Sequence, residues 1–219
     1  MDITYIQTLM PTLWAGTLQT IKLFVLTLLF SLPLGLPFAI GSISRVWPIK
    51  ILSKTYVWIF RGTPLMLQLF FIYFGLPAFG IKLDRETAAI VTFVLNYAAY
   101  FAEIYRAGIQ SIDKGQHEAA KTLGFTPWQT MRIIIIPQTI KRIIPPISNE
   151  AITLVKDTAL VTAIGVAELL KAAKDAVNRD VNITAYFLAA VIYLALTFLL
   201  TMLSQKLEQR YSRHEKQEV

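Results

Sequence analysis

Long apolar runs separated by short polar segments dominate the chain. A bilayer core takes about 20 apolar residues in helical form. Five stretches fit that requirement: 13–43, driest from Leu23 to Ile40, then 56–79, 87–105, 147–166 and 185–203. The pattern predicts an all-α membrane protein, a bundle of five transmembrane helices in a single domain over residues 1–219. An odd number of spans puts the termini on opposite sides. Gly62 and Pro64 break the second span, and discontinuous helices of this kind offer carbonyls and dipoles to a charged solute. Residues 106–146 are too polar at both ends to cross, although Ile133 to Ile136 are consecutive. Lys141, Arg142 and the Pro145-Pro146 pair are expected to close that run. Within this segment Asp113 is placed to cap a short helix, with Glu118 in an early turn and Gly124 at its end. Pro127 suits the start of the next helix. Residues 204–219 read as a polar tail.

Composition sharpens this picture. The chain is 55% hydrophobic, with mean hydropathy +0.53 and only 16% charged residues; soluble domains carry about a quarter. With no cysteine there is no disulfide framework and no thiolate metal site, which fits a reducing-side location or a bacterial inner membrane. The opening Met1-Asp2-Ile3-Thr4 lacks the basic region and cleavage site of a removable signal.

The net charge of +7 raises nucleic acid as a partner, but topology accounts for it. Thirteen basic residues fall on one side: Arg45, Lys50, Lys54, Arg106, Lys114, Lys121, Arg132, Lys141, Arg142, Lys206, Arg210, Arg213 and Lys216. Six fall on the other: Lys22, Lys82, Arg85, Lys171, Lys174 and Arg179. The richer side is cytoplasmic by the positive-inside rule, so the N-terminus is expected outside and the C-terminus inside. Trp14, Trp47 and Trp128 fall near span ends, where an amphipathic ring suits the headgroup layer.

Ionisable groups at membrane depth cost about 2.5 to 3.5 kcal/mol each on some scales. Arg61, Glu103, Glu150, Lys156 and Asp157 should therefore face a cavity or a partner, with Asn96 and Gln68 as neutral companions. Glu150 and Asp157 are seven residues apart and share a helix face, as do Asn96, Tyr100 and Glu103. Each charge also has a plainer reading. Glu103 can pair with Arg106 or Arg61, Lys156 and Asp157 can form a structural ion pair, and Glu150 can be a solvated carboxylate at a helix start.

Enzyme chemistry finds little support. His117 and His214 are the only histidines, nearly a hundred residues apart, and there is no Cys/His cluster for zinc. An acid/base pair of Glu103 and Asp157 is the only intramembrane alternative.

The segment 112–137 carries Glu118-Ala119-Ala120, then Gly124, Ile134 and Pro137. It resembles the EAA loop of ABC importer membrane subunits, in which a short helix receives force from a separate ATPase. Further stretches resemble the polar-amino-acid branch of these permeases: Phe60 to Pro64 with Gln68, Tyr97 to Gly108, Ile109 to Gly115, Pro137-Gln138, and Lys156 to Leu160. The resemblance runs from about residue 12 to 205, with the stretches in the same order; Ile136 stands where the family often has leucine.

The resemblance implies a type I ABC importer permease with a cytoplasmic coupling helix, in a bacterial inner membrane. Its partners would be a second copy or a paralogous permease, two cytosolic ABC ATPases, an extracytoplasmic amino acid binding protein and membrane lipid, with no nucleic acid. Glu118, Ala119, Ala120, Gly124 and Pro137 would form the ATPase-coupling surface. Asp157, Glu150, Glu103, Asn96, Tyr97, Arg61, Leu67 and Thr158 would form the substrate set. If Glu150, Asp157 and Glu103 line one cavity, they favour a cationic amino acid.

The chain needs no cofactor of its own. None of its ten glycines precedes lysine, so no Gly-Lys-Ser/Thr phosphate loop exists, and ATP and Mg²⁺ belong to the partner ATPase. A membrane-surface amphipathic helix, aided by Lys121 and Arg132, competes for the 112–137 segment, but alanines are poor anchors. A passive channel or ion-coupled secondary transporter is the alternative function, and a scaffold would leave the buried charges without purpose.

Overall fold

The protein is described by a computed structural model over residues 3–212, so Arg213, His214 and Lys216 lie outside the described residues. The helices are α1 (Ile3–Ile43), α2 (Trp47–Gly62), α3 (Leu65–Phe70), α4 (Arg85–Gln110), α5 (Lys114–Thr122), α6 (Pro127–Gln129), α7 (Ile136–Asp157), α8 (Leu169–Asp180) and α9 (Thr184–Ser212). α3 widens into a π-helical turn at Phe71–Gly75 and then tightens into a 3₁₀ turn at Leu76–Phe79. α1, α4 and α9 are each long and apolar enough to cross a bilayer, and α2 with the α3 segment forms a pair bent by 103°. α7 is amphipathic, and the stretch 147–166 runs across its end into a 3₁₀ segment, Thr158–Ile164.

The 41 residues of α1 extend about 60 Å at 1.5 Å per residue, roughly twice a bilayer core. Its buried stripe repeats every three or four residues, and from Thr27 on it is made of small side chains: Thr27, Ser31, Gly35, Ala39. Small residues let two helices approach closely in a membrane, and α4 lies along this stripe with Ala88, Ala89, Ala98 and Ala102. At Gly35 a β-carbon would stand 3.0 Å from both the Ala102 nitrogen and the Ala98 oxygen, so the contact requires glycine. Asp84 caps α4, accepting from the Glu86 and Thr87 backbones at 3.0 Å. Hydrogen bonds from Thr87 hold its carboxyl below the usual range.

The main core joins α1, α2, α3, α4 and α7 around Phe93, Tyr97, Phe101 and Leu154. A second cluster packs Leu9 and Leu13 of α1 against Leu169, Ala173 and Ala176 of α8 and Ala185 and Ala189 of α9. The sequence pattern did not single out α8. It packs against the N-terminal part of α1, with Tyr5 donating to Asp180 at 2.9 Å.

The N-cap of α8 is Glu168, fully buried. Its carboxylate accepts from Lys171 N (2.7 Å), Thr162 Oγ1 (2.5 Å), Leu170 N (2.8 Å) and Tyr193 Oη (2.8 Å). Beside it the Leu169 amide donates to Thr20 Oγ1 at 3.2 Å. One side chain thus fastens α8, α9 and the 3₁₀ segment together next to α1.

The Pro145-Pro146 pair does not end a helix, contrary to expectation: α7 passes through it from Ile136 to Asp157. The pair removes only the donors for the Lys141 and Arg142 carbonyls, in a partly exposed stretch, while packing on α4 and α9 holds the helix on course.

Candidate functional site: an acidic cavity at a broken helix

Pro64 disfavours helical backbone at the residue before it, and Thr63 is extended with φ −120° and ψ 147°. The carbonyls released by this break do not go unpaired. Gln68 Nε2 donates to Phe60 O (2.9 Å) and Thr63 O (3.1 Å), and the buried Asn96 donates through Nδ2 to Phe60 O and to Gln68 Oε1, both at 3.0 Å. Two amides therefore fix the bend against α4.

A cavity of about 460 Å³ opens beside it, a size suited to a small solute. Arg61, Thr63, Asn96, Tyr97, Tyr100, Glu150, Thr153 and Asp157 line it. α7 presents Glu150 and Asp157 two turns apart, and Tyr97 Oη donates to Asp157 Oδ2 at 2.8 Å. The Arg61 guanidinium sits 5.3 Å from the centre of the Tyr100 ring. Counted by side chains, one cation and two carboxylates face the space, a balance of −1.

The structure brings Arg61, Asn96, Tyr97, Glu150 and Asp157 of the expected set into this cavity. Three others lie elsewhere. Glu103 is one step along α4, its two oxygens held by Arg106 at 2.8 and 2.6 Å with Arg61 at 3.6 Å, so it is engaged in ion pairs. Leu67 is turned by the bend into an apolar groove with Phe71 and Leu76. Thr158 is fully buried and its hydroxyl donates to Val155 O at 2.7 Å, because α7 ends there and the turn folds inward. Lys156 is exposed and lies against α9 beside Ala190 and Tyr193, rather than in an ion pair with Asp157. Thr63 and Thr153 were missed: a threonine in a span gives no signal until the bend and the α7 face place it.

The second candidate surface is α5. Asp113 caps it, accepting from the Gly115 amide at 2.6 Å. Gly124 stands at φ +80°, and the Phe125 amide donates back to Ala120 O at 3.0 Å, the closure that a left-handed glycine permits. Glu118 and Ala119 face outward, with Leu123 75% and Trp128 68% exposed nearby in sequence. Ala120 is buried beneath the helix, so it supports this surface instead of forming it. Pro137 is exposed in the first turn of α7. One tie binds α7 to α5 and another binds α7 to Ser111 at the end of α4. Gln138 Nε2 donates to Gln116 Oε1 at 3.3 Å, and Arg142 donates to the Ser111 carbonyl and, at 3.1 Å, its hydroxyl.

This arrangement of helices has known relatives. Residues 31–213 match the family described as binding-protein-dependent transport system inner membrane component. The chain belongs to that family. It is 41% identical to the L-cystine transport system permease protein TcyB of Bacillus subtilis over 95% of this chain and 90% of the relative. It is 39% identical to the arginine transport system permease protein ArtQ of the same organism, over 94% of each. A solved structure, described as an amino acid ABC transporter with histidines, superposes with TM-score 0.91 at 37% identity, covering 96% of this chain and 99% of that one. The fold is that of a type I ABC importer permease, an all-α membrane architecture.

Proposed function

We propose that this chain forms the translocation path of an ATP-driven amino acid importer and that its acidic cavity takes a cationic amino acid. The carrying observation is the meeting of Glu150 and Asp157 in one cavity at a broken helix, with a single arginine that is already drawn toward Glu103. Burying two like charges together is unfavourable without a counter-charge, and a cationic solute supplies it. The family membership and the relatives' roles in arginine and cystine transport support an amino acid as cargo.

In this reading the N-terminus is outside and the C-terminus cytoplasmic, and the chain pairs with a second copy or a paralogue in the inner membrane. Two cytosolic ATPases bind ATP and Mg²⁺, and an extracytoplasmic binding protein delivers the solute. ATP binding draws the ATPases together and pulls the α5 surface of Glu118 and Ala119, with Gly124 and Pro137 shaping its exits. The Gln116–Gln138 tie carries that pull into α7, whose far end holds Glu150 and Asp157, and the Ser111–Arg142 contact links α7 to the end of α4 just before α5. The cavity then opens outward, and hydrolysis returns it to face inward.

The test is uptake of arginine and glutamine by the reconstituted importer, with Glu150→Gln and Asp157→Asn. The proposal predicts loss of preference for the cationic solute; unchanged preference in both variants overturns it.

A further inference from the structure

A second cavity, of about 600 Å³, adjoins the acidic one and shares Arg61 and Gly62 with it. Lys54, Arg61, Glu103 and Arg106 line it, with Ser42 and Trp58. Its side chains are three cations and one carboxylate, with Arg61 shared between the two cavities, so the basic charge that belongs to this space alone is Lys54 and Arg106. Arg106 takes both oxygens of Glu103, while Arg61 reaches Glu103 only at 3.6 Å. Lys54 makes no ion pair among the described residues, and its side of α2 is exposed. Lys54 is therefore the cation without an ion pair among the described residues, and Arg61 is held to Glu103 more loosely than Arg106 is. Ten residues of α4 separate Asn96 from Arg106, about 15 Å along the helix axis, so the two cavities succeed one another along α4.

We infer that the basic cavity is a second station of the transport path, which holds the carboxylate of the amino acid as it leaves the acidic cavity toward the cytoplasm. The inference rests on the amino acid reading and orientation proposed above. A zwitterion matches the sequence of fields: its cationic end is held by Glu150 and Asp157, and its carboxylate meets Arg61, which borders both spaces. Lys54 then draws the carboxylate onward. Glu103 limits the attraction by neutralising Arg106, so the anion is held and also let go.

The experiment uses the complex of this chain with its ATPase, without nucleotide, and measures equilibrium binding of L-arginine and of agmatine, the same cation without the carboxylate. Lys54→Gln is expected to weaken arginine about tenfold, the loss of one charge-assisted contact, and to leave agmatine within about twofold. An equal effect on the two ligands, or none, overturns the inference. So does loss of co-purifying phosphatidylglycerol from Lys54→Gln with the arginine-to-agmatine ratio unchanged, which assigns the cavity to a lipid headgroup. Asp157→Asn separates the two readings. If it spares both ligands while Lys54→Gln still weakens arginine alone, the acidic-cavity reading fails and the carboxylate station stands. A wild type that binds neither ligand overturns both.

Discussion

Glu168→Gln tests whether one buried carboxylate holds α8, α9 and the 3₁₀ segment together. The substitution keeps the side-chain shape and replaces one acceptor oxygen by an NH₂ group, which cannot accept. Each oxygen of Glu168 takes one backbone amide and one hydroxyl. Whichever way the glutamine amide turns, the hydroxyl facing its nitrogen can rotate and accept from it, but the backbone amide cannot. One buried N–H is then orphaned, at about 1 to 3 kcal/mol, and the remaining bonds lose their charge assistance, about 1 kcal/mol more. The sum is about 2 to 4 kcal/mol. For a chain of this length that corresponds to a fall in melting temperature on the order of 5 to 15 °C. Purified protein in detergent, heated and assayed for the monodisperse fraction, gives the shift directly. Glu118→Gln, at an exposed position, is the control and should move by less than a degree or two. A Glu168→Gln variant that melts with wild type would refute the reasoning.

Other predictions address single features. Gly124→Val forces a branched side chain into left-handed backbone, at about 1 to 2 kcal/mol or more; it should leave membrane insertion intact and lower uptake relative to ATP hydrolysis in proteoliposomes. Arg142→Ala cuts the tie to Ser111, and the expected outcome is ATP hydrolysis near normal with uptake reduced several-fold. Asp180 is held down to about 2 by its hydrogen bond from Arg179, with Tyr5 assisting. Because the folded value lies below the ordinary 3.8, its contribution is present above that pH and fades as pH falls toward 2. Wild type should lose thermal stability between pH 4 and pH 2 more steeply than Asp180→Asn.

Much of this molecule was legible from local chemistry. Asp113 and Gly124 are residues whose side chain or lack of one dictates a helix start and stop, so the ends of α5 could be read directly. Gly62 and Pro64 gave the break, and the cost of charge at membrane depth singled out Arg61, Glu150 and Asp157. What stayed hidden depends on neighbours distant in sequence. Glu168 reads as an ordinary polar residue beside Lys171, and only the approach of Tyr193 and Thr162 shows it to be a buried junction. Ala119 and Ala120 look equivalent in sequence, yet a turn of 100° per residue puts one outside and the other beneath the helix. Leu67 lines the apolar groove and not the acidic cavity because a 103° bend reorients the face of every residue after it.

The central claim is that α5 faces the cytoplasm and is gripped there by the ATPase. The chain has no native cysteine, so Glu118→Cys creates a unique label site. Membrane-impermeant maleimide should label it in inside-out vesicles, not in right-side-out ones, and more slowly when the ATPase is co-expressed. Labelling from the outer side, or a rate indifferent to the ATPase, would contradict the account.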